Sequence, residues 1–187
     1  ALAVAGALGC VGTAEARITK IDITTTESPT FGGFSWPGVG QYEKLAGKAY
    51  GEVDPLDPKN ALIVDIELAP RNSRGMVEYA FDFYILKPID LKKGAHKVMY
   101  EPPNRGGKTW ATLGRFPGGN DPGSVTGATP AGAAALANAF FMPRGYTIVF
   151  SGWDKAAGPS TPTSEAAFIT TITLPVAQNT NGTSITG

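Results

Sequence analysis

Cysteine is almost missing from this chain: Cys10 is the single one among 187 residues. A disulfide needs two, so no intrachain bridge staples the fold. Histidine is equally scarce, with only His96. Zinc sites draw on clustered His, Cys and carboxylates, so no metal centre is expected. Neither sign of charge is in excess, because 16 basic residues balance 16 acidic ones. That excludes the basic footprint of a nucleic-acid binder and leaves no block of like charge for an electrostatic partner. No apolar run is long enough to cross a bilayer as a helix.

Two catalytic signatures are also lacking. Asn104-Arg105-Gly106-Gly107-Lys108-Thr109 ends like a phosphate loop but lacks the first glycine of G-x-x-x-x-G-K-S/T. No G-x-S-x-G elbow occurs: Ser124 sits in a predicted loop, and Ser151 has no glycine two residues before it. A serine nucleophile needs a base, and His96 lies in a predicted surface turn. No complete triad is encoded, and no cofactor is expected.

Glycine (24) and proline (15) are abundant, so turns take up much of the chain. The first residues stand apart from the rest. Ala1 to Val11 is small, apolar and uncharged, and Ala14-Glu15-Ala16 offers an A-x-A cleavage site. Residues 1–16 therefore read as part of a secretory signal peptide, and the protein as secreted or periplasmic. A buried helix is the alternative. Without an initiating Met or a basic n-region, the chain is expected to be clipped at its start. Ala7-Leu8-Gly9-Cys10 loosely resembles a lipid-attachment box, with the leucine one position off. A plain signal-peptide cysteine is the preferred reading.

Past Arg17, short patterned segments follow one another. Ile18 to Thr26 alternates and is β-branched, which predicts a strand. Ser28 to Tyr42 is a glycine-rich loop carrying Phe31, Phe34, Trp36 and Tyr42. Leu45 to Val53 predicts a strand with bends or bulges at Gly47 and Gly51. Asp54 to Asn60 is a turn cluster, where a cation between Asp54 and Asp57 is the lesser alternative to Asp-Pro turns. Ala61 to Ala69 is apolar at every second position, and so is Met76 to Lys87; with a short connection between them they predict an antiparallel pair. Pro88 to Gly94 is a turn.

Lys97 to Asp154 is the segment that carries chemistry. It reads as a strand (97–101), a turn rich in Pro and Gly, a helix from Ala131 to Phe141, and a strand from Thr147. That order predicts two parallel strands joined by a crossover helix. Gly106 and Gly107 would let backbone approach a ligand. Ala156 to Ser164 is a predicted loop and Phe168 to Ala177 a further strand interrupted by Pro175. Asn179 to Thr183 is a turn that also forms a glycosylation sequon. The predicted fold class is α/β, a mixed sheet whose antiparallel strands lead into a strand–helix–strand crossover.

The runs Gly47-Lys48-Ala49-Tyr50-Gly51-Glu52-Val53-Asp54-Pro55, Ala69-Pro70-Arg71-Asn72-Ser73-Arg74-Gly75, Asn104-Arg105-Gly106, Arg144-Gly145-Tyr146 and Gly152-Trp153 together resemble a family of secreted α/β-hydrolase domain proteins. The likeness covers most of Arg17 to Asp154. It implies an esterase-type serine hydrolase acting on a small-molecule ester. In such enzymes the third strand ends in the oxyanion loop, a helix crosses over and the fourth strand follows. The resemblance places Asn104, Arg105, Gly106 and Gly107 at the oxyanion loop. It places Trp153 and Asp154 at the substrate rim. The family's nucleophile elbow lies downstream of Gly187, so residues 17–187 would be an incomplete, inactive N-terminal part, completed by a C-terminal segment or a second chain. The fourth strand would then be left without a neighbour. The alternative is a free-standing secreted β-rich binding or structural module, with the rings of the 28–42 loop as its contact surface.

Overall fold

The computed structural model describes residues 16–105, 107–108, 119–156 and 168–185. The signal-peptide reading falls on residues outside these, apart from Ala16. The chain divides into two compact units, one of Ala1–Arg17, Glu52–Glu78 and Pro175–Gly187, the other of Ile18–Gly51 and Tyr79–Leu174.

Seven strands form a mixed sheet: β1 (Arg17–Glu27), β2 (Ser35–Trp36), β3 (Gly40–Val53), β4 (Val77–Pro88), β5 (Val98–Glu101), β6 (Thr147–Ser151) and β7 (Ile172–Thr173). The order is β1-β3-β4-β6-β5, with β2 beside β3 and β7 beside β4. One α-helix is described, α1 (Pro130–Ala137). The fold is thus mixed α/β with strands predominating.

In the larger unit, β1 and β3 run antiparallel: Thr19 Oγ1 donates to the Tyr50 carbonyl and Thr24 Oγ1 to that of Ala46. Gly47 in β3 is needed for this pairing, because a Cβ there would lie 1.9 Å from the Asp22 carbonyl oxygen. The predicted bend is a close strand approach. Lys48 meets Asp82 and Lys87 meets Glu43, a falling-against-rising register that makes β3 and β4 antiparallel too. β4 pairs antiparallel with β6 from Phe83↔Ser151 to Leu86↔Ile148. β6 pairs parallel with β5 from Val98↔Thr147 to Glu101↔Phe150. The predicted parallel pair is present, and α1 lies between its strands in sequence.

α1 starts where Thr129 Oγ1 accepts from the Gly132 N–H and Pro130 fills the first turn. It is shorter than the predicted 131–141, since Asn138 ends it with both its N–H and its side-chain amide on the Ala134 carbonyl. Its one buried residue, Leu136, joins a core of Phe31, Trp36, Tyr42, Tyr84, Leu86, Met142, Ile148 and Phe150. Trp36 Nε1 donates to the Leu136 carbonyl at 2.8 Å, and the Tyr42 hydroxyl lies 2.9 Å from the Tyr146 carbonyl.

Three expectations are corrected. Ala61 to Ala69 is not a strand: it is turns with a 3₁₀ segment at Ile66–Leu68, and Asp65 at φ 56° breaks any extended run. Leu62 is 93% and Val64 85% exposed, so their alternation has no buried face to serve. Among the described residues, Phe168 to Ala177 is strand only at Ile172–Thr173, beside β4. The strand at the end of the order is β5, whereas β6, the expected fourth strand, has neighbours on both sides.

In the smaller unit, Asp57 Oδ1 accepts from the Lys59 N–H and Asp54 Oδ1 from the Leu56 N–H, so both carboxylates close turns. A buried carboxylate, Glu52, is gripped by Arg74, Arg17 and Asn72. The Arg74 bond, with those of Arg17 and Asn72, holds it at about 2 despite the opposing effect of burial. Asn179 to Thr183 is a turn, as predicted, closed by the Asn179 N–H on the Thr183 carbonyl.

Candidate functional site

In open α/β sheets ligands bind beyond the carboxyl ends of the parallel strands. Here those ends are Glu101 of β5 and Ser151 of β6. The chain leaves β5 through Pro102-Pro103 and leaves β6 through Gly152-Trp153. Trp153 Nε1 donates to the Pro103 carbonyl at 2.6 Å and joins the two exits. The indole is 55% exposed, so its ring faces solvent at this rim. Asp154 beside it is half-buried, and its Oδ1 accepts from the Ala156 N–H at 2.8 Å.

The turn after β5 has a defined shape. Asn104 and Gly107 form an isolated antiparallel bridge, with the Gly107 N–H on the Asn104 carbonyl at 2.9 Å. Arg105 takes the left-handed conformation at φ 47°, unusual for a side chain this large. Gly106 lies outside the described residues. The Gly107 N–H is thus engaged inside the turn and would have to leave Asn104 to reach an oxyanion. The structure brings Asn104, Arg105, Gly107, Trp153 and Asp154 to the carboxyl ends of one parallel strand pair.

Lys108, which follows, was not singled out by sequence reasoning. It is 3% exposed. Its N–H donates to Asn120 Oδ1, and its Nζ to the carbonyls of Asn120 (2.8 Å) and Phe168. Nζ also lies 4.5 Å from the Tyr84 ring centre and 5.4 Å from that of Phe150. Tyr84 donates its hydroxyl to Asp121 Oδ1 at 2.7 Å and accepts the Gly123 N–H. Asp121 also binds Lys44, which reaches Glu27 at 2.5 Å. Burial, with the adjoining Asp121 carboxylate, pushes the Tyr84 phenol well above its ordinary range.

Burial lowers the Lys108 ammonium to about 7, against the pull of the Asp121 and Glu101 carboxylates. A lysine neutral near pH 7 is chemically able to take a proton. This one points its Nζ at two carbonyls inside the protein, so its work is to fasten the segment after β5. The partners come from segments far apart in sequence, which is why no spacing announced them. A pH prediction follows. Between about 7 and the ordinary lysine value, the folded chain has lost this proton while the unfolded chain keeps it, so stability rises with pH. Urea unfolding at pH 7 and pH 9.5 should show that rise in the wild type and a smaller one in Lys108→Met. Equal slopes would show that Lys108 does not titrate in this window.

Comparison of the chain with family models, curated proteins and solved structures found no match. The site therefore rests on its own geometry.

Other candidates settle differently. Phe31, Trp36 and Tyr42 are buried, and Phe34 packs partly buried against them, so these rings build the core and offer no contact surface. The Ser151 hydroxyl lies 2.8 Å from the Tyr100 hydroxyl, an exposed pair that supplies no general base. His96 is exposed in a turn at φ 53°. Among the described residues no group of three His, Cys, Asp or Glu could hold a metal ion. Among them also, no helix is long and apolar enough to cross a membrane.

Proposed function

We propose that this chain is the N-terminal segment of a secreted serine hydrolase of the carboxylic-ester type. It supplies sheet, the loop after β5 as oxyanion loop, and the Trp153–Asp154 rim. Nucleophile, base and acid come from chain not present here, either a C-terminal segment or a second chain. The substrate of the complete protein is a small-molecule ester, and no cofactor takes part.

One observation carries this reading. Antiparallel strands lead into a parallel pair, β5 and β6, whose exits are joined by the Trp153–Pro103 bond beside the Asn104–Gly107 turn. That is where an acyl-transfer site of this class assembles its oxyanion loop. Such donors are worth about 3–4 kcal/mol each when placed on the tetrahedral oxyanion. The sheet also has an open apolar face: Ile18, Ile21 and Ile23 of β1 are exposed, with Leu45, Phe81 and Ile85 along the same groove of about 310 Å³. An uncovered face of this kind fits a domain that further chain completes. The free-standing binding module loses its proposed surface, since the rings meant to form it are internal.

The test is direct. The isolated chain should show no turnover of p-nitrophenyl acetate above background and no labelling by a fluorophosphonate. Serine-dependent turnover would overturn the proposal that the nucleophile lies elsewhere.

A further inference from the structure

Arg17 is both the first residue of β1 and the residue just after the Ala14-Glu15-Ala16 motif. Its guanidinium donates to Glu52 Oε1 through Nε at 2.8 Å and Nη2 at 2.6 Å. The Glu52 side chain is 1% exposed, while that of Arg17 is 63% exposed. The other Glu52 oxygen is held by Arg74 Nη2 and by Asn72 Nδ2 at 3.1 Å. Both holders sit on one built turn: Asn72 Oδ1 accepts the N–H groups of Arg74 (2.9 Å) and Met76 (3.1 Å), and the Asn72 N–H returns to the Met76 carbonyl. The turn leaves Oε1 for Arg17.

Chain termini fray and are trimmed unless something ties them down. A guanidinium on a buried carboxylate is among the strongest ties a side chain makes. We propose that the Ala16–Arg17 bond is a processing site and that the Glu52 cup anchors the N-terminal arginine created there. The agent is a signal peptidase that accepts small residues at the last and third-last positions before the cut. Water adds across the peptide bond, leaving a carboxylate on Ala16 and an α-ammonium on Arg17. Cleavage one residue later would discard the guanidinium and leave Glu52 without its outer partner. This inference shares only the secretory origin with the proposed function. Its readouts are mass and N-terminal sequence, so either can fail while the other stands.

The full chain is incubated with purified signal peptidase in detergent micelles, analysed by intact mass and N-terminal sequencing, and then exposed to a broad aminopeptidase. The expected product begins Arg17-Ile18-Thr19 and resists trimming. Glu52→Gln and Arg17→Gln should each be trimmed about ten-fold faster, relative to short peptides with the same first residues. Circular dichroism checks that both remain folded. If Glu52→Gln does not fold, Arg17→Gln decides, since it leaves Glu52 bound to Arg74 and Asn72. No cleavage, a start at any other residue including Cys10, or equal trimming of wild type and variant would overturn the inference.

Discussion

Replacing Trp36 with alanine should remove about 3–5 kcal/mol of stability, the usual cost of deleting a large buried ring. Trp36 is 2% exposed and stands edge-on to Phe31, Phe34 and Tyr42, with ring centres 4.9–5.3 Å apart. Its indole N–H also reaches the Leu136 carbonyl and so ties β2 to α1. That carbonyl keeps the Ala139 N–H, so the substitution leaves no orphaned acceptor there, and the loss is mainly packing. Against a typical total of about 5–15 kcal/mol, such a loss is a large share. The urea midpoint measures it. Trp36→Phe should retain most of the ring packing and lose about 1 kcal/mol with the hydrogen bond. A loss below about 1 kcal/mol for the alanine variant would mean that this cluster does not organise the core.

The second large effect is expected at Gly152. A Cβ there would lie 2.0 Å from the Thr171 carbonyl oxygen and 2.3 Å from its carbon, so backbone has to move. That backbone is tightly held. The Asp82 N–H donates to the Thr171 carbonyl at 2.9 Å, and the Asp82 carbonyl accepts the Gly152 N–H at 2.8 Å. The Asp82 carboxylate accepts the Thr171 N–H, the Thr171 hydroxyl and Lys48 Nζ. Burial raises Asp82, yet Lys48 and the Thr171 bonds outweigh it and keep the carboxylate below its ordinary value. Asp82 is thus the point where β4 passes from β7 to β6. Gly152→Ala should cost about 2–3 kcal/mol. Hydrogen exchange should show lost protection at the Asp82 and Gly152-position amides, while the Leu86–Ile148 end of the β4–β6 ladder stays protected. Because Trp153 is the next residue, the rim should move with it. An unchanged exchange pattern would show that the segment at Thr171 yields freely.

Much of this was legible from alternation. The segments that became β1, β4, β5 and β6 were placed within a few residues. In β4 and β6 one side is packed and the period of two survives in the sequence, whereas β1 was marked by its β-branched residues and buries neither side. The parallel β5–β6 pair followed from the intervening helix. What misled was the same signal without a partner. Leu62, Val64, Ile66 and Leu68 alternate as a strand would, but both edges of β4 are taken, by β3 on one side and by β6 and β7 on the other. Periodicity reports which side chains line up and carries no information about an available edge. The left-handed Asp65 is a backbone choice with no clear residue signal, since Asp tolerates it without requiring it.

The candidate site was legible in part for the same reason. Glycines and prolines marked the turn after β5, and Trp153 marked the exit from β6, because punctuation at strand ends is local. Lys108, Asp121 and Tyr84 were not, because their contacts with Tyr84 or Phe168 join residues 24 apart or more. Nor could sequence tell that the Gly107 N–H closes its own turn. That bond gives the oxyanion reading a physical condition: the Gly107 N–H can serve as a donor only if it leaves the Asn104 carbonyl.

The central proposal is that a C-terminal segment, the first of the two sources named above, completes the chemistry. Sequencing the transcript across the Gly187 codon tests it most directly. The account predicts an open frame that continues into a G-x-S-x-G elbow. A stop codon directly after Gly187 would contradict it.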